Sequence, residues 1–387
     1  MKNINNKKFN TKVIHGGHGA DEISGAVMPP ITLSSTFKQI NPGEFKYEYA
    51  RTNNPTREIL ETLLAKIECG KYGFAFSSGM AAINCLADAF GKNYHILCAD
   101  DVYGGTRRLF DKVKSNNQNI ETTYVDLSKE NNWEGHIKEN TKMIWLETPS
   151  NPMLKIIDLK NIANKTKDLN IPIICDNTFA SPYNQQPLNQ GADIVLHSST
   201  KYLSGHSDII GGSLIIKDNN EISEKIKYLQ NAAGAIPSPF DCYMLIRSIK
   251  TLAVRMEKHN ENGMKIASFL EKHKKVKKVM YPGLASDQNH HIAKKQMRGF
   301  GGLLSVDINT NFEGIKKFLN NLEMFTLAES LGGVESLIEH PAIMTHASID
   351  KKIREDLGIT EGLLRLSVGI EDVDDLIDEL NEALKLI

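Results

Sequence analysis

Ser198-Ser199-Thr200-Lys201 sets a lysine behind three hydroxyl residues. The run before it, ADIVLHS, is apolar almost without a break, as in a parallel strand buried on both faces. A residue just past the C-terminal end of such a strand lies in the ligand crevice of an open α/β sheet. An amine there, flanked by hydroxyls, suits a Schiff base beside a phosphate ester. A lysine on its own is ordinarily a solvated surface charge; its strand and its hydroxyl neighbours set this one apart.

Three other stretches point the same way. Asp176 ends the apolar run Ile173-Ile174-Cys175. An aspartate there serves equally as a turn former or helix cap. Opposite a pyridine nitrogen, its carboxylate would keep that nitrogen protonated and make the ring an electron sink. Ser77-Ser78-Gly79-Met80 opens a helical pattern, and a glycine-bearing helix N-terminus offers free N–H groups to a phosphate. Tyr103, in Asp101-Val102-Tyr103-Gly104-Gly105-Thr106, follows the strand-like HILCAD, where an aromatic face can stack on a cofactor ring. Each signal is modest alone. Together they make a pyridoxal-phosphate site: a lysine for the covalent link, an acid for the ring nitrogen, an aromatic lid and a phosphate cradle.

The elements that must hold these residues follow from periodicity. Short apolar runs (HILCAD, TTYVDL, KMIWLET, IPIICDNT, ADIVLHSS) alternate with helical stretches, which predicts an α/β unit with a mostly parallel sheet. Asn54-Pro55-Thr56 opens a helix running to Glu68, and SSGMAA opens another that reaches about Phe90. Pro237 and Pro239 interrupt the helical segment Lys225–His273, so a long helix starting after Pro239 is expected to bridge to a second unit. Beyond it, VKKVMYP, GGLLSVDI, Met324–Ser330 and LLRLSVG are strand-like, with helices between them. The expected organisation is an extended N-terminal arm over residues 1–50, a cofactor-binding α/β domain over 51–250 and a smaller α+β domain over 251–387.

Composition agrees with a folded, water-facing protein. The 387 residues are 41% hydrophobic and 24% charged, with 46 Lys+Arg against 47 Asp+Glu. That balance gives no basic excess for nucleic acid or a membrane surface. No run is apolar enough to span a bilayer, and the polar start MKNINNKKFN lacks a signal-peptide core, so a cytoplasmic location is expected. The five cysteines have no CxxC spacing and read as reduced core residues, and no metal site is expected. His290-His291 reads as an exposed loop pair, and His206 as a support for the loop near Lys201. Only nine residues are Arg, so each Arg position is informative; Arg365 interrupts the apolar LLRLSVG, where burial without an anionic partner would be costly.

On these stretches the chain resembles the Cys/Met-metabolism family of pyridoxal-phosphate enzymes, which have the type I aminotransferase fold. The likeness runs from about Thr11 to the end, through YEYARTNNPTR (47–57), SSGMAA (77–82), DDVYGGTRR (100–108), ETPSNP (147–152), DNTFASPY (176–183), SSTKYLSGHSD (198–208), GAIPSPFDCY (234–243), LAESLGGVESLIEHPAIMTHAS (327–348) and LRLSVGIED (364–372). It implies that Lys201 carries the cofactor, Asp176 pairs with the ring nitrogen and Tyr103 stacks on the ring. Gly79, Met80, Ser198 and Thr200 would hold the phosphate, joined by Tyr49 and Arg51 of a neighbouring subunit. Arg365, Asn151 and Ser330 would take the substrate α-carboxylate, while Glu48, Arg108 and Glu329 would face a distal amino-acid end. It also implies a homotetramer built from dimers with shared sites.

The resemblance is strongest to members that cleave cystathionine at its γ-carbon to cysteine, 2-oxobutyrate and ammonia, with hydrogen sulfide from cysteine as a side product. Synthesis of cystathionine from an acyl-homoserine and cysteine, or cleavage at the β-carbon, are the alternatives. Methionine γ-lyases carry a cysteine where this chain has Gly105. A non-catalytic, cofactor-binding role would be favoured if Lys201 or Arg365 were absent, and both are present.

Overall fold

The computed structural model describes residue 4 and residues 6–129, 133–347 and 350–387. Part of the polar N-terminal stretch (1–3 and 5) and Ser348, which closes one quoted motif, lie outside these. The first sheet has seven strands: β1 (Tyr72–Phe76), β2 (His95–Ala99), β3 (Glu121–Val125), β4 (Thr141–Glu147), β5 (Ile173–Asp176), β6 (Ile194–Ser198) and β7 (Gly212–Ile216). Their order is β1-β7-β6-β5-β4-β2-β3, and all pairs are parallel except those made by β7. The five runs expected as strands are β2 to β6. Every residue of β2 and β5 is buried, which is why they read as continuous apolar text. β1 and β7 went unread, since YGFAF and GSLII are short and each begins at or beside a glycine.

The second sheet, ordered β10-β11-β12-β9-β8, holds β8 (Val276–Met280), β9 (Leu303–Ile308), β10 (Thr326–Leu327), β11 (Leu337–Glu339) and β12 (Leu363–Ser367). It has its own apolar cluster, in which Leu304, Val306, Leu364 and Leu366 meet Leu376 and Leu380 of the last helix. A larger cluster belongs to the first sheet. These two cores support, as a proposal, a division near residue 250.

The bridging helix differs from expectation. Gly234, in the left-handed conformation, stops the helix Asn220–Ala233. Ser238 then caps a helix that begins with Pro239 but ends at Ile249. After a break at Lys250-Thr251, a separate helix runs from Leu252 to Glu271. Its first turns place Leu252 and Met256 in the larger core, and its last turns place Ile266 and Leu270 in the smaller one. His290 and His291 open a helix, His290–Gln296, rather than lying in a loop. Four cysteines are buried, whereas Cys69 is half-buried. Among the described residues no helix is long and apolar enough to cross a membrane.

The N-terminal segment also departs from a bare arm. Residues Phe9–His15 form a helix whose Phe9 and Val13 are buried in the larger core. From there to Asn53 only isolated bridges occur, Thr36 with Tyr49 and Asn41 with Glu44. Ile23, Val27 and Ile40 along this stretch are 98%, 81% and 82% exposed. Its end is fixed by the buried Arg57 of the helix Pro55–Ile67, which donates to the carbonyls of Ala50, Arg51 and Thr52 at 2.9, 3.2 and 2.9 Å. Arg57→Ala is expected to cost about 2–5 kcal/mol by leaving those carbonyls unpaired. Arg57→Lys should recover little of it, because an ammonium lacks the fork that reaches all three. Urea unfolding with limited proteolysis across residues 40–54 measures both; equal stability of Arg57→Lys and wild type would contradict the account.

Candidate active site

Parallel strands deliver their C-terminal residues to one edge of the larger sheet. Register places Glu147 of β4 beside Asp176 of β5, and Asp176 beside Leu196 of β6, two residues before Ser198. The loops leaving that edge, the start of the helix Gly79–Ala89 and the segment around 329–347 enclose a cavity of about 490 Å³.

Lys201 lies on the cavity wall and donates from Nζ to Ser330 Oγ at 2.7 Å. Burial, helped by the nearby Arg365 charge, lowers its pKa to about 8. The amine is therefore much closer to neutral at physiological pH than a surface lysine. Ser330 holds its position at φ +91°, a conformation that costs energy for a residue with a Cβ.

Asp176 forms part of the floor. Its Oδ1 accepts from Thr178 N and Oγ1 at 3.0 and 2.6 Å. Burial pushes the carboxyl up, and the two Thr178 bonds pull against that. Glu147, on the neighbouring strand, is likewise driven up by burial and by the Asp176 charge, and its Oε2 accepts from Tyr103 N at 2.8 Å. That bond fixes the backbone beneath the Tyr103 ring. The ring in turn accounts for Gly105: a Cβ there would lie 2.4 Å from Tyr103 Cε1 and 3.0 Å from Met80 Sδ.

The residues fit pyridoxal phosphate on three counts. Asp176 is a buried acid facing the cavity, and a protonated ring nitrogen would supply its counter-charge. Ser78 caps the helix through Ala81 N, so the N–H groups of Gly79 and Met80 in the first turn have no intrahelical acceptor. Gly79 also brings that helix end against Ser198, since a Cβ would meet Ser198 Cβ at 3.2 Å. With the Ser198 and Thr200 hydroxyls nearby, this is a donor set for a phosphate.

Arg365 occupies another wall, at 3% exposure. Nη1 donates to Asn151 Oδ1 at 2.9 Å and is ion-paired at 2.9 Å with Glu339 Oε1; Nη2 donates to the Ser330 carbonyl at 2.8 Å. Arg108 and Glu329 line the same cavity but are exposed, at its rim. Glu48, Tyr49 and Arg51 do not line it. Arg51 instead bonds Asn231 through its carbonyl and Oδ1, and Tyr49 is 47% exposed. His206 is exposed, with Nδ1 at 2.7 Å from Ser204 O.

Sequence reasoning missed two buried acids of this site, Glu147 and Glu339. Both end apolar strands, KMIWLE and LIE, as Asp176 does. That shared position was the signal available.

The chain matches the family described as Cys/Met metabolism PLP-dependent enzyme over residues 10–385. It is 53% identical over 383 residues to a cystathionine beta-lyase of Coxiella burnetii, covering 98% of this chain and 99% of that one. It is 51% identical to a cystathionine gamma-lyase of Bacillus subtilis, covering 98% and 100%. Among solved structures it superposes on cystathionine gamma-lyase from Lactobacillus plantarum, complexed with L-serine, with a TM-score of 0.94, 46% identity and 98% of each chain covered. The α/β type I fold and the pyridoxal-phosphate cofactor expected from sequence are thereby shown. The chain belongs to the pyridoxal-phosphate-dependent enzymes of cysteine and methionine metabolism and is an enzyme of their carbon–sulfur lyase type.

Proposed function

We propose that the protein cleaves L-cystathionine between Cγ and sulfur, giving cysteine, 2-oxobutyrate and ammonia. The observation that supports it is the charge layout of one cavity, with Arg365 buried in one wall and Arg108 and Glu329 at the rim. A ligand with an amino-acid group at each end matches that layout. Methionine and cysteine, with one such group, do not.

Pyridoxal phosphate, when bound, supplies an electron sink for charge developing at the substrate's Cα. The protein's part is to orient and to move protons. Arg365 takes the α-carboxylate, with Asn151 alongside. Lys201 Nζ, with its pKa lowered to about 8, takes the Cα proton. Cleavage at the γ-carbon also needs a Cβ proton, which the same amine removes; the Tyr103 hydroxyl is a second group on that wall able to carry a proton. Ser330 Oγ keeps Nζ placed between these positions.

A second reading, cleavage between Cβ and sulfur to homocysteine, pyruvate and ammonia, is favoured by the name of the Coxiella relative. It needs the same carboxylate clamp and only the first proton transfer. Product analysis decides. Cystathionine is expected to give 2-oxobutyrate with cysteine; dominant pyruvate with homocysteine would make the protein a β-lyase. Cystathionine formed from an acyl-homoserine and cysteine faster than it is cleaved would make it a synthase.

Glu329→Ala should separate long substrates from short ones. Its carboxylate is exposed, so the contact to a distal ammonium is worth about 0.5–1 kcal/mol rather than the value of a buried pair. We expect kcat/KM for cystathionine to fall roughly 2- to 5-fold while cysteine desulfhydration is unchanged. Equal losses on both substrates would remove Glu329 from the distal site.

We further propose that Glu48, Tyr49 and Arg51 serve the cavity of a second copy within a homotetramer built from dimers. They lie outside their own cavity, on a stretch with exposed apolar side chains. Arg51→Ala and Lys201→Ala homo-oligomers should each be inactive or nearly so. Refolding the two together should restore activity, because some sites then receive an intact Arg51 and an intact Lys201. Mixed oligomers without recovered activity would place the stretch on its own subunit.

A further inference from the structure

The Arg365 guanidinium is only partly committed within the chain. Its Nη1 side is held by Asn151 and Glu339, and one Nη2 hydrogen by the Ser330 carbonyl. Nε is buried and has no hydrogen-bond partner. Nε and Nη2 form one edge of the planar fork, the arrangement that meets a carboxylate with two parallel bonds, and Nε on that edge has no partner. A substrate carboxylate on that edge would share one cation with Glu339 on the opposite side.

Glu339 is not there by chance of a flexible side chain. It sits directly across from Arg365 in the β11–β12 register and is 0% exposed. Thr345 Oγ1 donates to its Oε1 at 3.0 Å, while its Oε2 is buried without a partner. Evolution of a tight carboxylate site would need neither a second buried acid nor an unsatisfied oxygen.

We propose that Glu339 is a positioning residue that sets how tightly Arg365 holds a carboxylate. It fixes the fork with the Nε edge open and weakens that edge by like-charge repulsion, so that a 2-oxo acid product can leave. This rests on the reading of Arg365 as the α-carboxylate ligand. Two carboxylates on opposite edges of one guanidinium, about 7 Å apart at an effective dielectric near 20, repel enough to change affinity by at least about tenfold.

The test is calorimetric binding of 2-oxobutyrate and of its amide to the cofactor-loaded enzyme, alongside KM and kcat for cystathionine. Glu339→Gln keeps an oxygen for Nη1 and Thr345 but removes the charge. It should bind 2-oxobutyrate about tenfold more tightly, lower KM in parallel, and leave the amide's affinity unchanged. Glu339→Asp draws the charge back by one methylene and should shift in the same direction by less. It decides the matter if the Gln variant loses its yellow colour or its melting transition. Neither variant binding the acid more tightly than wild type would overturn the proposal, as would acid and amide shifting together, the mark of a merely structural residue. If wild type itself does not prefer the acid to the amide by about tenfold, the reading of Arg365 fails first.

Discussion

Arg365 stands in the middle of β12 between Leu364 and Leu366, which are core residues of the smaller sheet. A cation carried into that setting is costly unless it is paired and hydrogen-bonded. Its partners come from three places: Glu339 on the adjacent strand, Asn151 on the loop after β4 of the other sheet, and the backbone of Ser330. Pairing this one charge therefore ties the two sheets together at the cavity. It also helps to hold Ser330 at its unfavourable φ, since the same residue gives its carbonyl to Arg365 and its hydroxyl to Lys201. The position of the Lys201 amine thus depends on how a buried guanidinium is satisfied.

Burial acts on the groups around the cavity in opposite senses. It favours the neutral form of Lys201, and equally the neutral forms of Asp176, Glu147 and Glu339. A neutral amine is what proton abstraction from carbon requires. Two of the acids are different, because each has a cation that answers it. Arg365 answers Glu339, and a protonated ring nitrogen answers Asp176. One low-dielectric pocket thus favours a neutral amine beside acids that are held charged where a cation answers them.

The parts of this arrangement that were legible in the sequence are those written in runs. Strands buried on both faces show as apolar text, so β2 to β6, with Asp176 at the end of one and Lys201 just past the end of another, are legible from sequence. Helix starts were legible for the same local reason: Asn54-Pro55-Thr56, Ser77-Ser78-Gly79-Met80 and Pro239 act within a few residues of themselves. What stayed hidden depends on pairing across distance. β7 runs antiparallel among parallel neighbours, a fact of topology rather than of its five residues. Glu147 and Glu339 matter because of what lies opposite them in register, Asp176 and Arg365. The helix Phe9–His15 is short and owes its place to burial of Phe9 and Val13 against the larger core. Glu48, Tyr49 and Arg51, placed at a site by resemblance alone, do not line this chain's own cavity.

The division between buried and exposed groups bears on how one scaffold carries relatives with different names. Lys201, Arg365 and Asp176 are enclosed in one cavity, so changing one disturbs the charge balance around the others. Arg108 and Glu329 are exposed at the rim and have no such obligations. A contact made there carries modest energy, because water competes for it. A fold with a rigid buried centre and a permissive rim can therefore keep its proton chemistry while the bond presented to it shifts by one carbon. In cystathionine the choice between the γ- and β-carbon reduces to which of its two amino-acid ends is held at Arg365, since the ends are equally far apart either way and only the sulfur's place along the ligand changes.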